Sequence, residues 1–111
     1  MSALYIMRYL GEHDTGSGAV FIGKGTIVGF DETDVRYHGS YEVKGGRLIG
    51  TAELTAPSPG ATLVTGQLLP PGRSVTIEID WPEEFENDSG LIVQVADNPV
   101  SVTLEKVGDT P

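Results

Sequence analysis

Residues 31–54 read DETDVRYHGSYEVKGGRLIGTAEL, two alternating runs on either side of Gly45-Gly46. Paired glycines take the positive φ angles that a two-residue primed turn demands, so this stretch predicts a tight β-hairpin. Centring the turn on the glycines sets a register. Val43 then faces Leu48, Tyr41 faces Gly50, Gly39 faces Ala52 and Tyr37 faces Leu54. On the other face Glu42 meets Ile49, Ser40 meets Thr51, His38 meets Glu53 and Arg36 meets Thr55. The first set is apolar and the second mostly polar, and a one-residue slip would exchange the two faces. The Tyr41 ring opposite Gly50 would cover bare backbone, a device of curved sheets.

Working outward, the first strand is expected over residues 3–10, with Tyr5, Met7 and Tyr9 on one face and Leu4, Ile6 and Leu10 on the other. Both faces are apolar, whereas a half-exposed antiparallel strand has one polar face, so something should cover the second. Residues 11–18 read as a glycine-rich loop. Residues 19–22 and 26–30 read as short strands joined by a Lys24-Gly25 turn, with the inward face ambiguous among Val20, Phe21, Ile22, Ile27 and Val28. Pro57, Pro59, Pro70 and Pro71 exclude a central strand from 56–73, leaving a connection that is irregular or briefly helical over 61–69. Strands follow at 74–81, 91–95 and 100–104, the last two joined through Asp97-Asn98-Pro99, with a frayed tail from Gly108. Eight short strands with close turns and no long helix predict an all-β, antiparallel up-and-down meander, either closed into a barrel or strongly curved, and closure is favoured because it removes exposed edges.

The 111 residues suit one domain, with room for a core but not for a large cavity as well. There is no cysteine, which removes disulfides, thiolate nucleophiles and cysteine metal sites and suits a reducing compartment. No apolar run reaches bilayer length and the first residues lack the pattern of a secretory signal, so a soluble, cytoplasmic protein is expected. The net charge of −9 is uneven: residues 1–55 hold seven acids and five bases, residues 56–111 nine and two. Phosphate binding needs a basic footprint, so neither nucleic acid nor an anionic membrane is an expected partner.

Within this pattern Gly29-Phe30-Asp31, Tyr37-x-Gly39-x-Tyr41 and Gly46-x-Leu48 resemble the GrlR-like family, small bacterial proteins named for a negative regulator of type III secretion. Leu4-Tyr5, Gly16-x-Gly18 and a closing Val102-x-Leu104 also fit. The resemblance covers most of the chain in outline and is motif-specific over residues 16–54. It implies a calycin-like barrel of eight strands with little room inside and a tendency to dimerise. For the regulator itself it implies sequestering a transcriptional activator through an acidic turn. The corresponding turn here, Val43-Lys44-Gly45-Gly46, has no acid, so the scaffold is what carries over.

Three surfaces are candidate sites. Asp80, Glu83, Glu84, Glu86 and Asp88 crowd one stretch beside Phe85 and Trp81, a pattern that would suit a basic protein partner by charge steering and aromatic anchoring. The spacing lacks the order of a calcium loop. Leu4, Ile6, Leu10, Ile49 and Ile92 fall on faces that should be solvated and mark a surface for homodimerisation. The alternative is that residues 61–69 fold over the first strand. Tyr5, Tyr9, Tyr37, Tyr41 and Trp81 could line the pocket of a small hydrophobic ligand at the barrel mouth.

Catalysis has little to build on. His38 opposite Glu53 is a surface cross-strand pair with no nucleophile beside it, His13 has no partner in the pattern, and Gly16-Ser17-Gly18 is not followed by the Lys-Ser/Thr of a phosphate loop. Asp31, in the small acidic turn with Glu32 and Asp34, should turn the backbone by accepting bonds from nearby amides. No metal and no cofactor is called for. The expected function is a non-enzymatic, GrlR-like regulatory or protein-interaction domain working as a homodimer, with a calycin-type ligand-binding module as the alternative.

Overall fold

A computed structural model of the chain describes residues 2–11, 15–63, 65–87 and 90–111. The hairpin forms in the expected register, β4 (Arg36–Lys44) against β5 (Arg47–Thr55), with Val43 paired to Leu48 and Tyr37 to Leu54. Gly45 and Gly46 take φ of 60° and 77°, the left-handed conformation that a primed two-residue turn requires.

Around it stand β1 (Ser2–Leu10), β2 (Thr15–Gly23), β3 (Thr26–Asp31), β8 (Ser74–Pro82), β9 (Leu91–Val95) and β10 (Asn98–Asp109). These eight strands close into an antiparallel barrel in the order β1-β10-β9-β8-β5-β4-β3-β2, with β10 returning to β1. The fold class is the expected one. The narrowest seam, β8 to β9, pairs Ile77 with Val95 and Glu78 with Gln94. It is reinforced by the Trp81 indole, whose Nε1 donates to the Ile92 carbonyl at 3.0 Å.

Several boundaries differ from expectation. β2 starts at Thr15, inside the expected loop, because Gly16 and Gly18 serve as strand residues where neighbours press close. A Cβ on Gly16 would stand 2.4 Å from Tyr9 Cζ, and one on Gly18 would stand 2.2 Å from the Phe30 carbonyl oxygen. The β9–β10 turn is Ala96-Asp97, both at positive φ, one position before the expected one. β10 continues to Asp109 through a bulge opposite Leu4 and Tyr5, and Thr110 N still donates to the Ser2 carbonyl, so the tail is paired rather than frayed. Among its described residues the 56–73 connection contains no helical turn. It folds into a miniature ladder of β6 (Ala61–Thr62) and β7 (Leu68–Leu69) and sends Leu63 and Leu69 into the core. It therefore lies against the barrel's end.

The two ends are closed differently. At one, Phe85, on a 3-10 turn over Phe85–Asn87, is fully buried with ring centroids 5.5 Å from Tyr5 and 5.6 Å from Trp81. At the other, where β1, β3 and β5 finish and β4 starts, Asp31, Tyr9 and Tyr37 meet beneath Leu63.

Candidate functional site

The acidic stretch does not assemble as one surface. Asp80 Oδ1 is held by Arg47 Nε at 2.9 Å, while Arg47 also donates to the Asp80 carbonyl at 3.0 Å. Glu86 accepts from the Tyr5 hydroxyl and pairs with Lys106 at 3.1 Å. The Tyr5 bond, then Lys106, hold the Glu86 carboxyl below its usual range, and burial followed by Glu86 pushes the Tyr5 phenol well up. Glu83 and Glu84 are exposed, and Asp88, like His13, lies outside the described residues. Phe85, expected as an aromatic anchor for a partner, is instead the plug of the barrel end, buried against the Tyr5 and Trp81 rings. Among the described residues no group of three potential ligands forms a metal site, and no helix is long and apolar enough to cross a membrane.

The expected dimer surface divides. Ile49 stands on β5 between Glu42 and Asp80, and Ile92 stands on β9 beside Ser101, each an isolated apolar residue among polar neighbours. Leu10 pairs with Thr15 and Ser101 at the far end of β1. Leu4 and Ile6, by contrast, join a continuous patch that the sequence reading missed. Register runs Leu4–Phe21–Val28 across β1, β2 and β3, and in parallel Ile6–Ala19–Phe30. Phe30 is 57 % exposed and Val28 43 %. The ambiguity over which face of β2 and β3 is inward hid them: Val20, Ile22 and Ile27 fill the core, leaving Phe21, Val28 and Phe30 outside.

The aromatic set divides as well. Tyr9, Tyr37 and Trp81 line an interior cavity of about 150 Å³, whereas Tyr5 packs into the opposite plug and Tyr41 lies outside the lining. Most of the wall is aliphatic: Val20, Ile22, Ile27, Leu54, Ile77, Ile79, Val93, Val95, Val100 and Val102. The polar groups gather at Asp31. Tyr9 and Tyr37 hydroxyls donate to its Oδ2 at 2.8 and 2.7 Å. Thr33 N, Thr33 Oγ1 and Val35 N donate to its Oδ1 at 2.9, 2.7 and 3.2 Å. As expected, Asp31 turns the backbone; it also ties β1 and β4 to the end of β3. Burial and the Asp31 charge push both phenols far up.

Comparisons with protein-family models, with curated proteins and with solved structures find no match to this chain.

Proposed function

We propose that this chain is a non-enzymatic interaction module, of the kind its GrlR-like motifs suggest, that self-associates as a homodimer through the outer face of β1, β2 and β3. The observation that supports the reading is the unbroken apolar patch of Leu4, Ile6, Ala19, Phe21, Val28 and Phe30. Exposed patches of this kind lose free energy to water and usually mark association surfaces.

Charge favours a second copy as the occupant. The register extends the second row to Glu105–Ile6–Ala19–Phe30–Arg36, with an acid at one end and a base at the other. The next row places Arg8 on β1 beside Ser17, which exchanges a bond with Glu32 just past β3. A two-fold axis parallel to β2 reverses each row onto itself. Arg8, already paired with Glu105 of its own chain at 2.9 Å, then approaches Glu32 of the second copy, while Glu105 and Arg36 stand on opposite sides of the barrel and flank the contact without meeting across it. Such an isologous contact is self-complementary, the form that symmetric dimers take.

A patch of six residues is small beside the roughly 20–30 residues a side of a standard interface, so the expected affinity is micromolar. Sedimentation velocity from micromolar to millimolar chain should show a monomer–dimer equilibrium. Phe30→Asp should shift it to monomer while leaving the fold intact. A strict monomer throughout this range contradicts the proposal, as does a dimer indifferent to Phe30→Asp.

A further inference from the structure

The barrel interior carries a second use, independent of self-association. We propose that the cavity binds a single-ring apolar molecule bearing one hydrogen-bond donor, neutral or cationic, and discriminates against carboxylates.

Size comes first. The cavity is about 150 Å³, and apolar cavities of about this volume stay dry and admit benzene. Long acyl chains do not fit. Away from the Asp31 end the wall is aliphatic apart from the Trp81 indole, whose N–H is already committed to the Ile92 carbonyl. A ring would therefore meet dispersion contacts and no unsatisfied donor along the wall.

The polar group that such a ring can carry follows from hydrogen-bond inventory. Each phenol has a single O–H. Tyr9 and Tyr37 both spend theirs on Asp31 Oδ2, and Oδ1 is occupied by Thr33 and Val35. Both phenol oxygens keep acceptor capacity, so a ligand O–H or N–H can bond to them, whereas a bare acceptor finds no phenol donor. Thr15, Thr62 and Thr65 also line the cavity, but Thr15 and Thr62 are exposed and Thr65 partly so, leaving water to compete for them. An anion meets a further penalty, because the Asp31 carboxylate is 5 % exposed and Glu32 lies beside it. Like charges repel strongly where water is excluded.

The test compares benzyl alcohol, toluene and benzoate, which share a ring and differ in the group presented to Tyr9 and Tyr37. Trp81 is the chain's single tryptophan, so its fluorescence and its indole N–H resonance report occupancy of the cavity directly. Benzyl alcohol should bind saturably, about tenfold or more tighter than benzoate, a difference of about 1.4 kcal/mol. Tyr37→Phe should weaken benzyl alcohol several-fold while sparing toluene. Ala52→Leu, which fills the cavity from β5, should abolish binding of both. Ile77→Phe is the second filler should Ala52→Leu not fold. Benzoate binding as tightly as benzyl alcohol, no saturable binding of benzyl alcohol, or undiminished binding in a folded filled variant would each overturn the proposal.

Discussion

Tyr37 on β4 donates to Asp31 Oδ2 at 2.7 Å, joining two strands at the cavity end of the barrel through a buried carboxylate. Five donors converge on that carboxylate, and three of them come from its own turn. Removing the acceptor strands buried donors, whereas removing one phenol leaves four bonds in place. Asp31→Ala should therefore destabilise by about 3 kcal/mol or more, and Tyr37→Phe by roughly 1–2 kcal/mol. Urea unfolding of both variants checks the order. Equal losses would contradict a network centred on Asp31.

The Tyr9 ring lies across Gly16, which has room for no side chain: a Cβ there would stand within 2.4–2.6 Å of Tyr9 ring and hydroxyl atoms. Gly16→Ala must push the ring aside and strain its bond to Asp31. A loss of about 1–2 kcal/mol is expected. In a Tyr9→Ala background the same substitution should be nearly neutral, and a double-mutant cycle measures the difference.

The pH dependence follows from the phenols. Tyr5, Tyr9 and Tyr37 are all raised above the ordinary tyrosine value of 10.0, chiefly by burial. The folded chain therefore holds these protons more tightly than the unfolded chain. Their stabilising contribution is complete below pH 10 and is lost as pH rises beyond it. Three of the four tyrosines should resist ionisation in the native state and titrate together with unfolding. Absorbance at the phenolate band, recorded alongside circular dichroism, tests this. Reversible ionisation of all four tyrosines in folded protein would contradict it.

Phe85 closes the opposite end. Truncation to Ala empties the space between Tyr5 and Trp81, with an expected loss of about 3–5 kcal/mol. A loss below about 1 kcal/mol would mean that the end is not plugged as described.

Much of this architecture was legible in residues 31–54. The Gly45-Gly46 turn and the alternation around it dictate one register, and that register is observed. Legibility failed where a residue had two physical uses. Gly16 and Gly18 read as loop because bare backbone is a turn signal, but here it makes room for Tyr9 and for β3. Phe21, Val28 and Phe30 could not be oriented because both faces of β2 and β3 are apolar, and only the barrel's curvature decides which face is inside. Phe85 sat among acids and read as an aromatic anchor for a partner, while long-range packing against Tyr5 and Trp81 buries it. Tyr9, Tyr37 and Trp81 were singled out for a pocket, but the convergence of both phenols on Asp31 required the closed sheet. The sequence also lacks any local mark of an empty interior, since cavity volume depends on how ten wall residues pack together.

Self-association through β1, β2 and β3 can be tested most directly by cross-linking at Ala19, which lies at the middle of its row and hence nearest the expected two-fold axis. The chain has no cysteine, so Ala19→Cys introduces a unique thiol. A short bis-maleimide should join two copies of this variant efficiently at micromolar chain. Glu78→Cys, exposed on β8 across the barrel, should remain uncoupled. Absence of a cross-link at Ala19→Cys, or equal yields at the two positions, would contradict a dimer built on this face.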